Sequence, residues 1–287
     1  HKSFPLKFTK RSVLKIIGTL LFLIFLFYIV HPEEILLALS GANFIFVVMA
    51  LLLLPVNLGL QFLRWKFLAQ LSSEDVSNCD VMRSIFCSFS YSIFTPARIG
   101  EIGRAFHIPN GKRDELVVLA FYEKFFAFCS LIIWGCLGLR IALSPFYLLG
   151  AIGIATIVLI SKVLARWIPG IRKWDETIRK VPTIKIFLIS LVFVLVYMLQ
   201  FLLILNGFKP ISPLAGFPLI AIVLLLNSVP ITVSGLGIRE VFSVYFFRRL
   251  GIPAASAASG SLLLFFINIL IPTFIGFGLL IFGSRDV

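Results

Sequence analysis

The sequence is short of charged residues, histidine and cysteine. Charged residues make up 14% of the 287 residues, whereas soluble domains carry about 25%. Hydrophobic residues make up 60%, too much apolar surface for one soluble core to hide, so a soluble globular fold is excluded. The four cysteines show no C-x-x-C spacing and three lie in apolar stretches, which favours small buried side chains over disulfides or metal ligands.

Groups suited to catalysis are also scarce. The aspartates are scattered in polar loops, and no phosphate-binding GxxxxGKS or GxxxxGKT loop is present. Ser234 precedes a glycine, but none of the three histidines lies at a matching depth to act as its base. We therefore predict no enzymatic activity, no metal and no cofactor.

Long apolar runs are what the sequence has in quantity. A membrane-spanning helix needs roughly 20 residues, and six runs approach or exceed that length: 16–30, 44–63, 117–139, 146–165, 186–206 and 257–283. The formal net charge of +13 comes from Lys and Arg clustered at the ends of such runs, which indicates contact with anionic lipid headgroups rather than nucleic acid. We predict an all-α integral membrane bundle with about six full spans.

The distribution of Lys and Arg predicts the orientation. Basic residues precede the first run, are missing from 31–63 and return at Arg64, and the most basic segment is 162–185. By the positive-inside rule, the N-terminus and 162–185 lie in the cytoplasm. We predict a multi-pass protein of the cell membrane with a cytoplasmic N-terminus.

Two further apolar segments are interrupted in the middle. Residues 81–108 break at Pro96, and residues 214–248 break at Pro230, each close to glycines. Short segments interrupted by Gly and Pro are typical of discontinuous helices at transporter binding sites. We interpret both as re-entrant helical hairpins, the first entering from the cytoplasm and the second from outside.

With these hairpins, the single transmembrane domain divides into two halves of inverted topology. The first structural repeat covers 1–139 and the second covers 140–287. A full crossing by 214–229 is the alternative: it would make Arg248 and Arg249 cytoplasmic, as the positive-inside rule prefers, and would abolish the inverted symmetry.

Ionisable residues follow the first break. Arg98, Glu101 and Arg104 are spaced three apart, which places them on one broad face of a helix. Charges at membrane depth usually line a cavity or pair with each other, and guanidinium groups suit phosphate. The hypothesis is a pocket for an anionic headgroup, with Pro96 and Gly100 as backbone hinges. The alternative is a salt bridge that closes the hairpin.

The second break repeats this arrangement. Gly235 and Gly237 precede Arg239 and Glu240, and glycine permits positive φ or close backbone approach. We predict Arg239 and Glu240 as substrate-binding residues and Pro230, Gly235 and Gly237 as hinges. A tight turn with an interfacial arginine is the alternative.

Glu123 and Lys124 lie near the start of the run 117–139. They are placed either to extend toward the cytoplasmic interface or to reach the first hairpin. We favour the second placement, which adds both residues to the predicted binding site.

Three motifs at these positions resemble the lysylphosphatidylglycerol synthase transmembrane-domain family, also called flippase-like domain proteins. They are PARIGE at 96–101 followed by Arg104, YEK at 122–124, and the segment from Pro230 that ends in GLGIRE at 235–240. The resemblance covers nearly the whole chain and implies a membrane domain that moves or exposes lipids. In the multiple peptide resistance factors such a domain is fused to a soluble aminoacyl transferase domain. We expect no such domain, and so no lysyltransferase activity, in these 287 residues.

The predicted function is a flippase or scramblase that moves an anionic phospholipid or a polyprenyl-phosphate lipid between leaflets. The alternative is a transmembrane lipid-binding scaffold for a separately encoded lipid-modifying transferase. The predicted partners are membrane lipids with anionic headgroups, and a separate lipid-modifying enzyme in the alternative. Nucleic acid is not expected as a partner, and the sequence gives no oligomeric state.

Overall fold

The chain is helical throughout its described part. The computed structural model describes residues 24, 27, 28, 31–73, 75–95, 98–142, 144–167, 174–229 and 231–282, with no β-strand among them. The predicted first span at 16–30 therefore lies outside the described residues except at three positions. The predicted hinges Pro96 and Pro230 also lie outside them.

The helices follow one another through short connections, and several begin at side-chain caps. Ser77 accepts a hydrogen bond from the Asp80 N–H, and Ser212 accepts one from the Ala215 N–H, which satisfies otherwise unpaired amides at helix starts. In chain order the helices are α1 (Pro32–Ser40), α2 (Phe44–Leu52), α3 (Leu54–Ala69), α4 (Asn78–Ser92), the 3-10 helix η1 (Ile99–His107), α5 (Arg113–Ala142), α6 (Tyr147–Trp167), α7 (Asp175–Lys180), α8 (Thr183–Asn206), α9 (Pro213–Asn227), α10 (Ile238–Phe247), the 3-10 helix η2 (Arg248–Leu250), α11 (Ala254–Phe265), a π-helical segment (Phe266–Leu270) and α12 (Ile271–Phe282).

Among the described residues, four helical stretches are long and apolar enough to cross a membrane. They are Phe44–Ala69, Arg113–Leu139, Thr183–Asn206 and Ala254–Phe282. Tyr147–Val163 and Pro213–Asn227 are shorter apolar helices. Large side chains such as Leu52, Leu188 and Phe274 are exposed on these helices, where lipid solvates them and water would not. The chain is a helical membrane protein, as predicted.

The first broken segment forms two short helices, α4 and η1, that pack against each other. After α4 the chain turns through Arg98, whose φ of 56° lies in the left-handed region. Gly100 allows the close approach, because a Cβ there would lie 2.5 Å from the carbonyl carbon and oxygen of Tyr91. Because η1 is a 3-10 helix with three residues per turn, Glu101 and Arg104 lie above one another on the same face.

The second broken segment consists of α9 and α10, which also pack against each other. Between them Ser234, Gly235 and Gly237 all have positive φ, at 53°, 77° and 84°. A side chain at 235 would collide with the Asn227 amide, so glycine is required there for both conformation and space. The Gly237 N–H donates to a Glu240 carboxylate oxygen at 2.7 Å, which caps the first turn of α10.

The two broken segments touch each other. The Ser234 N–H donates to the Thr95 carbonyl oxygen at 3.0 Å, so the loop after α4 and the loop before α10 are directly joined. α4 also packs along α12, where Gly276 lies against the Phe86 carbonyl. Residues far apart in the chain are thereby brought to one place.

Buried apolar side chains form two cores. One includes Trp65 of α3 and Phe126 of α5 and is built around α4, η1 and the first half of α5. The other includes Phe201 of α8 and Leu224 of α9 and extends into α11. Elements of both cores contribute to the cavity described next.

Candidate functional site

A cavity of about 310 Å³ lies among α3, η1, α5, α8 and α9. We call it the charged cavity, because six ionisable side chains line it together with polar and apolar ones. Its lining residues are Gln61, Arg64, Arg98, Glu101, Arg104, Glu123, Lys124, Ala127, Phe128, Leu131, Phe193, Val194, Tyr197, Leu224, Asn227, Ser228 and Asn268. Its size lies at the lower end of the range for small-molecule sites.

Glu123 forms the most deeply buried part of the charge network. An Arg64 terminal nitrogen lies 3.0 Å from one carboxylate oxygen, and Arg104 donates to the other at 2.8 Å. All three side chains are at most 4% exposed. Arg64 is held further by donation to Ser190 Oγ at 3.1 Å and by the Phe193 ring, whose centroid lies 4.2 Å from its guanidinium carbon.

Glu101 links the rest of the network. Lys124 donates to its carboxylate at 2.7 Å, Arg104 lies 3.5 Å from the same oxygen, and Arg98 pairs with the other oxygen. Arg104 also donates from Nε to the Glu101 carbonyl oxygen at 2.9 Å. Arg104 therefore bridges the two carboxylates, and the network is continuous from η1 through α5 to α3.

The network carries more positive than negative charge. Four cations and two carboxylates line the cavity, so the described lining has a formal surplus of two positive charges: Arg64, Arg98, Arg104 and Lys124 against Glu101 and Glu123. Uncompensated charge at low dielectric is costly. The surplus makes the cavity suited to an anion.

Two guanidinium donors of the cavity find no acceptor among the described residues. The Nε–H groups of Arg64 and Arg98 are buried and make no hydrogen bond to any residue in the described part of the chain. The Oδ1 atom of Asn227 is likewise buried and unpartnered there. Buried polar groups in folded proteins are normally paired, so these atoms would gain from an acceptor or donor that a ligand or water brings to the cavity.

A neutral polar wall completes the lining. It contains the side chains of Gln61, Tyr197, Asn227, Ser228 and Asn268. Asn268 lies in the π-helical segment, a local feature that is frequent at functional sites.

Behind this wall, Asn57 connects two buried amides. Its Nδ2 donates to Gln200, and it lies 3.4 Å from Asn268 Oδ1. Gln200 in turn donates to the Ala50 carbonyl oxygen at 2.9 Å. These interhelical hydrogen bonds hold α3, α8 and the π segment together.

The structure does not bring Arg239 and Glu240 into the charged cavity. Both are fully buried and pair with each other at 2.6 Å. Arg239 also donates from Nε to Ser261 Oγ at 2.8 Å, and that hydroxyl donates to Glu240 at 3.0 Å. Because Glu240 caps the N-terminus of α10 through Gly237, the pair stabilises the second break rather than lining the cavity.

Five of the predicted binding residues do meet at the cavity: Arg98, Glu101, Arg104, Glu123 and Lys124. The predicted hinges Gly100, Gly235 and Gly237 lie at tight turns, two of them at positive φ.

Sequence reasoning missed Arg64 as a site residue, because a basic residue at the end of an apolar run is typical of orientation signals. The cavity amides Asn227 and Asn268 were not predicted as ligands either. Their only signal was polarity within an apolar run.

The described residues contain no group of three or more His, Cys, Asp or Glu that could hold a metal ion. The described residues that line the charged cavity include no histidine. His107 instead contacts the Tyr91 hydroxyl, at 3.4 Å, and the Gly103 carbonyl oxygen, at 3.3 Å.

The chain was also compared with known proteins. No curated protein sequence matches it. A family model described as the lysylphosphatidylglycerol synthase TM region matches residues 12–276, nearly the whole chain. This match agrees with the helical membrane fold and with the motifs around the two breaks. The chain therefore belongs to the lysylphosphatidylglycerol synthase transmembrane-region family.

Proposed function

We propose that the chain is a lipid transporter that moves an anionic lipid between the leaflets of the cell membrane. The observation that carries this proposal is the charged cavity, whose lining has two more positive than negative charges. A lipid phosphate would bring negative charge to this surplus and acceptor oxygens to a lining in which the Nε–H donors of Arg64 and Arg98 are unpartnered. The acyl chains stay among lipids along the apolar helix surfaces.

The proposed topology has the two broken segments as re-entrant hairpins that enter from opposite sides. α4 and η1 form the cytoplasmic hairpin, and α9 and α10 form the external one. The hydrogen bond from Ser234 to Thr95 supports this arrangement, since hairpins from opposite sides meet near the bilayer midplane. The halves 1–139 and 140–287 are then inverted repeats, with the N-terminus in the cytoplasm.

The charge of the cavity also favours one form of substrate over another. Phosphatidylglycerol carries one negative charge, whereas its lysyl ester carries a phosphate and two ammonium groups and is a net cation. A cation would be repelled by the surplus on Arg98 and Lys124. The proposal therefore assigns an unmodified anionic lipid to this chain, with no catalytic step.

The test is a leaflet-exchange assay in liposomes. The purified protein is reconstituted with a fluorescent anionic lipid, and a membrane-impermeant quencher reports how fast inner-leaflet lipid reaches the outside. We expect exchange with wild type and, for Arg98→Ala, a rate lower by roughly tenfold or more, since the variant loses a charged phosphate donor. Lys112→Ala is the matched control, because Lys112 is an exposed cation outside the cavity.

The outcomes separate the candidate functions. Exchange that Arg98→Ala slows and Lys112→Ala does not would support transport. Exchange no faster than in protein-free liposomes, across several anionic and polyprenyl lipids, would refute it. In that case co-purification of a lipid-modifying enzyme would favour the scaffold role.

A further inference from the structure

The four cations of the charged cavity differ in access. The side chains of Arg64 and Arg104 are 4% and 3% exposed and are held by Glu123. Those of Arg98 and Lys124 are 21% and 31% exposed. An incoming headgroup therefore meets Arg98 and Lys124 first.

These two accessible cations share one carboxylate. Arg98 and Lys124 both pair with Glu101, one on each oxygen, so this part of the cavity has one positive charge in excess. Arg64 and Arg104 share Glu123 in the same way, which gives a second excess charge in the buried part. The surplus of two is thus spread over the cavity and is not located at one residue.

The phosphate of a diester lipid cannot neutralise this surplus. A phosphodiester carries one negative charge and two non-bridging oxygens. A terminal phosphate carries about −1.5 to −2 at neutral pH and has three strong acceptor oxygens. The third oxygen is one more acceptor for a lining that has four cationic side chains and the two unpartnered Nε–H donors of Arg64 and Arg98.

We propose that the charged cavity selects headgroups that end in a phosphate, a phosphomonoester or a diphosphate, over phosphodiester headgroups. This inference rests on the proposed function and names the substrate class of the same site. The neutral polar wall, with Gln61, Asn227 and Asn268, faces the remaining space and can bind a group beyond the phosphate.

Binding in nanodiscs tests this selectivity independently of transport. The probes are phosphatidic acid and phosphatidylglycerol with identical acyl chains, each titrated into nanodiscs of zwitterionic lipid that hold the full chain. At pH 7.5 we expect phosphatidic acid to bind roughly tenfold tighter or more, from the additional charge. Equal affinities would overturn the inference.

The pH dependence of the preference for phosphatidic acid over phosphatidylglycerol tests whether the site responds to phosphate charge. The second pKa of a phosphomonoester is about 6, so phosphatidic acid loses one negative charge as the pH falls to 5, whereas phosphatidylglycerol keeps its charge. The preference at pH 7.5 should therefore shrink toward one at pH 5. A preference that does not change with pH would contradict a site that senses phosphate charge.

Variants of Lys124 vary the surplus directly. Lys124→Gln reduces it from two to one and should lower the preference for phosphatidic acid severalfold. Lys124→Arg keeps the charge and should keep the preference, and Lys112→Gln, which removes an exposed cation outside the cavity, should also keep it. An unchanged preference in Lys124→Gln, in protein that stays folded, would overturn the inference.

Two further arms identify the source of the phosphate and separate the two proposals. Inorganic phosphate should bind far more weakly than phosphatidic acid, and equal affinity would assign the cavity to a soluble ion rather than a lipid. If phosphatidylglycerol is transported and binds with the same affinity as phosphatidic acid, the transport proposal is supported and the selectivity proposal is refuted. If phosphatidic acid binds selectively but no lipid is transported, the selectivity proposal is supported and the transport proposal is refuted.

Discussion

Glu123 pairs with two buried arginines, so its loss should destabilise the fold strongly. Its carboxylate lies between Arg64 and Arg104, at 3.0 and 2.8 Å, and is 2% exposed. Glu123→Gln keeps the size of the side chain and removes only the charge. The variant leaves the buried Arg64 without a counter-ion, leaves Arg104 only the Glu101 carboxylate at 3.5 Å, and raises the surplus in the charged cavity from two to three.

The expected cost can be worked from the geometry. At 3 Å and an effective dielectric constant of 20, each ion pair contributes about 5 kcal/mol of Coulomb energy. Part of this is offset by the desolvation that the charged Glu123 no longer requires. Breaking a buried pair by removing one partner typically costs about 3–5 kcal/mol, so we expect a loss of about 3 kcal/mol in the free energy of unfolding.

Denaturant unfolding in mild detergent measures this loss. Glu176→Gln is the matched control, because Glu176 pairs with Lys180 on the exposed surface and its loss should have no measurable effect. The double variant Arg64→Met with Glu123→Gln should be more stable than Glu123→Gln alone, because it removes the buried charge of Arg64 that Glu123→Gln leaves unpaired.

A loss for Glu123→Gln no larger than that of the exposed control would refute the reasoning. So would a strictly additive double variant, since residues that share an ion pair are expected to show a coupling energy.

Two further changes test the breaks in the chain. Gly100→Ala should destabilise the fold by roughly 1–3 kcal/mol, because its Cβ would lie 2.5 Å from the Tyr91 backbone. The control Gly59→Ala, which has open space around it, should be neutral or slightly stabilising. Thermal unfolding compares the two variants, and equal melting temperatures would contradict the close packing at Gly100. Glu240→Gln should lower the melting temperature, because it removes the counter-ion of buried Arg239. The same variant should leave anionic-lipid selectivity unchanged, and altered selectivity would mean that this pair acts at the site.

Much of the helix pattern could be predicted from composition and run length. The apolar runs 117–139 and 186–206 each lie within one helix that extends a few residues further, because polar residues at helix ends continue the same hydrogen bonding. The run 44–63 is divided between α2 and α3 at Leu53. The interruptions after 94 and 229 could be predicted from short apolar runs next to Gly and Pro. The 3-10 conformation of η1 could not be predicted, because it depends on how closely Gly100 approaches α4.

The candidate site was only partly predictable. Arg98, Glu101 and Arg104 follow from their spacing, and Glu123 and Lys124 from charge near the start of an apolar run. Which face of a helix points inward depends on tertiary packing, since both lipid-facing and helix-facing surfaces are apolar.

For this reason Arg64 was assigned to orientation, although it is buried against Glu123. Arg239 and Glu240 repeat the Arg and Glu residues of the first break in sequence. They nevertheless pair with each other and with Ser261 of α11, and not in the cavity.

Transport of an anionic lipid by the charged cavity can be measured as the exchange of labelled phosphatidic acid and labelled lysylphosphatidylglycerol in the same reconstituted liposomes. We expect phosphatidic acid to exchange faster than in protein-free liposomes and the cationic lysyl ester to exchange no faster than there. Faster exchange of the lysyl ester, or no exchange of either lipid, would refute anionic-lipid transport by this cavity.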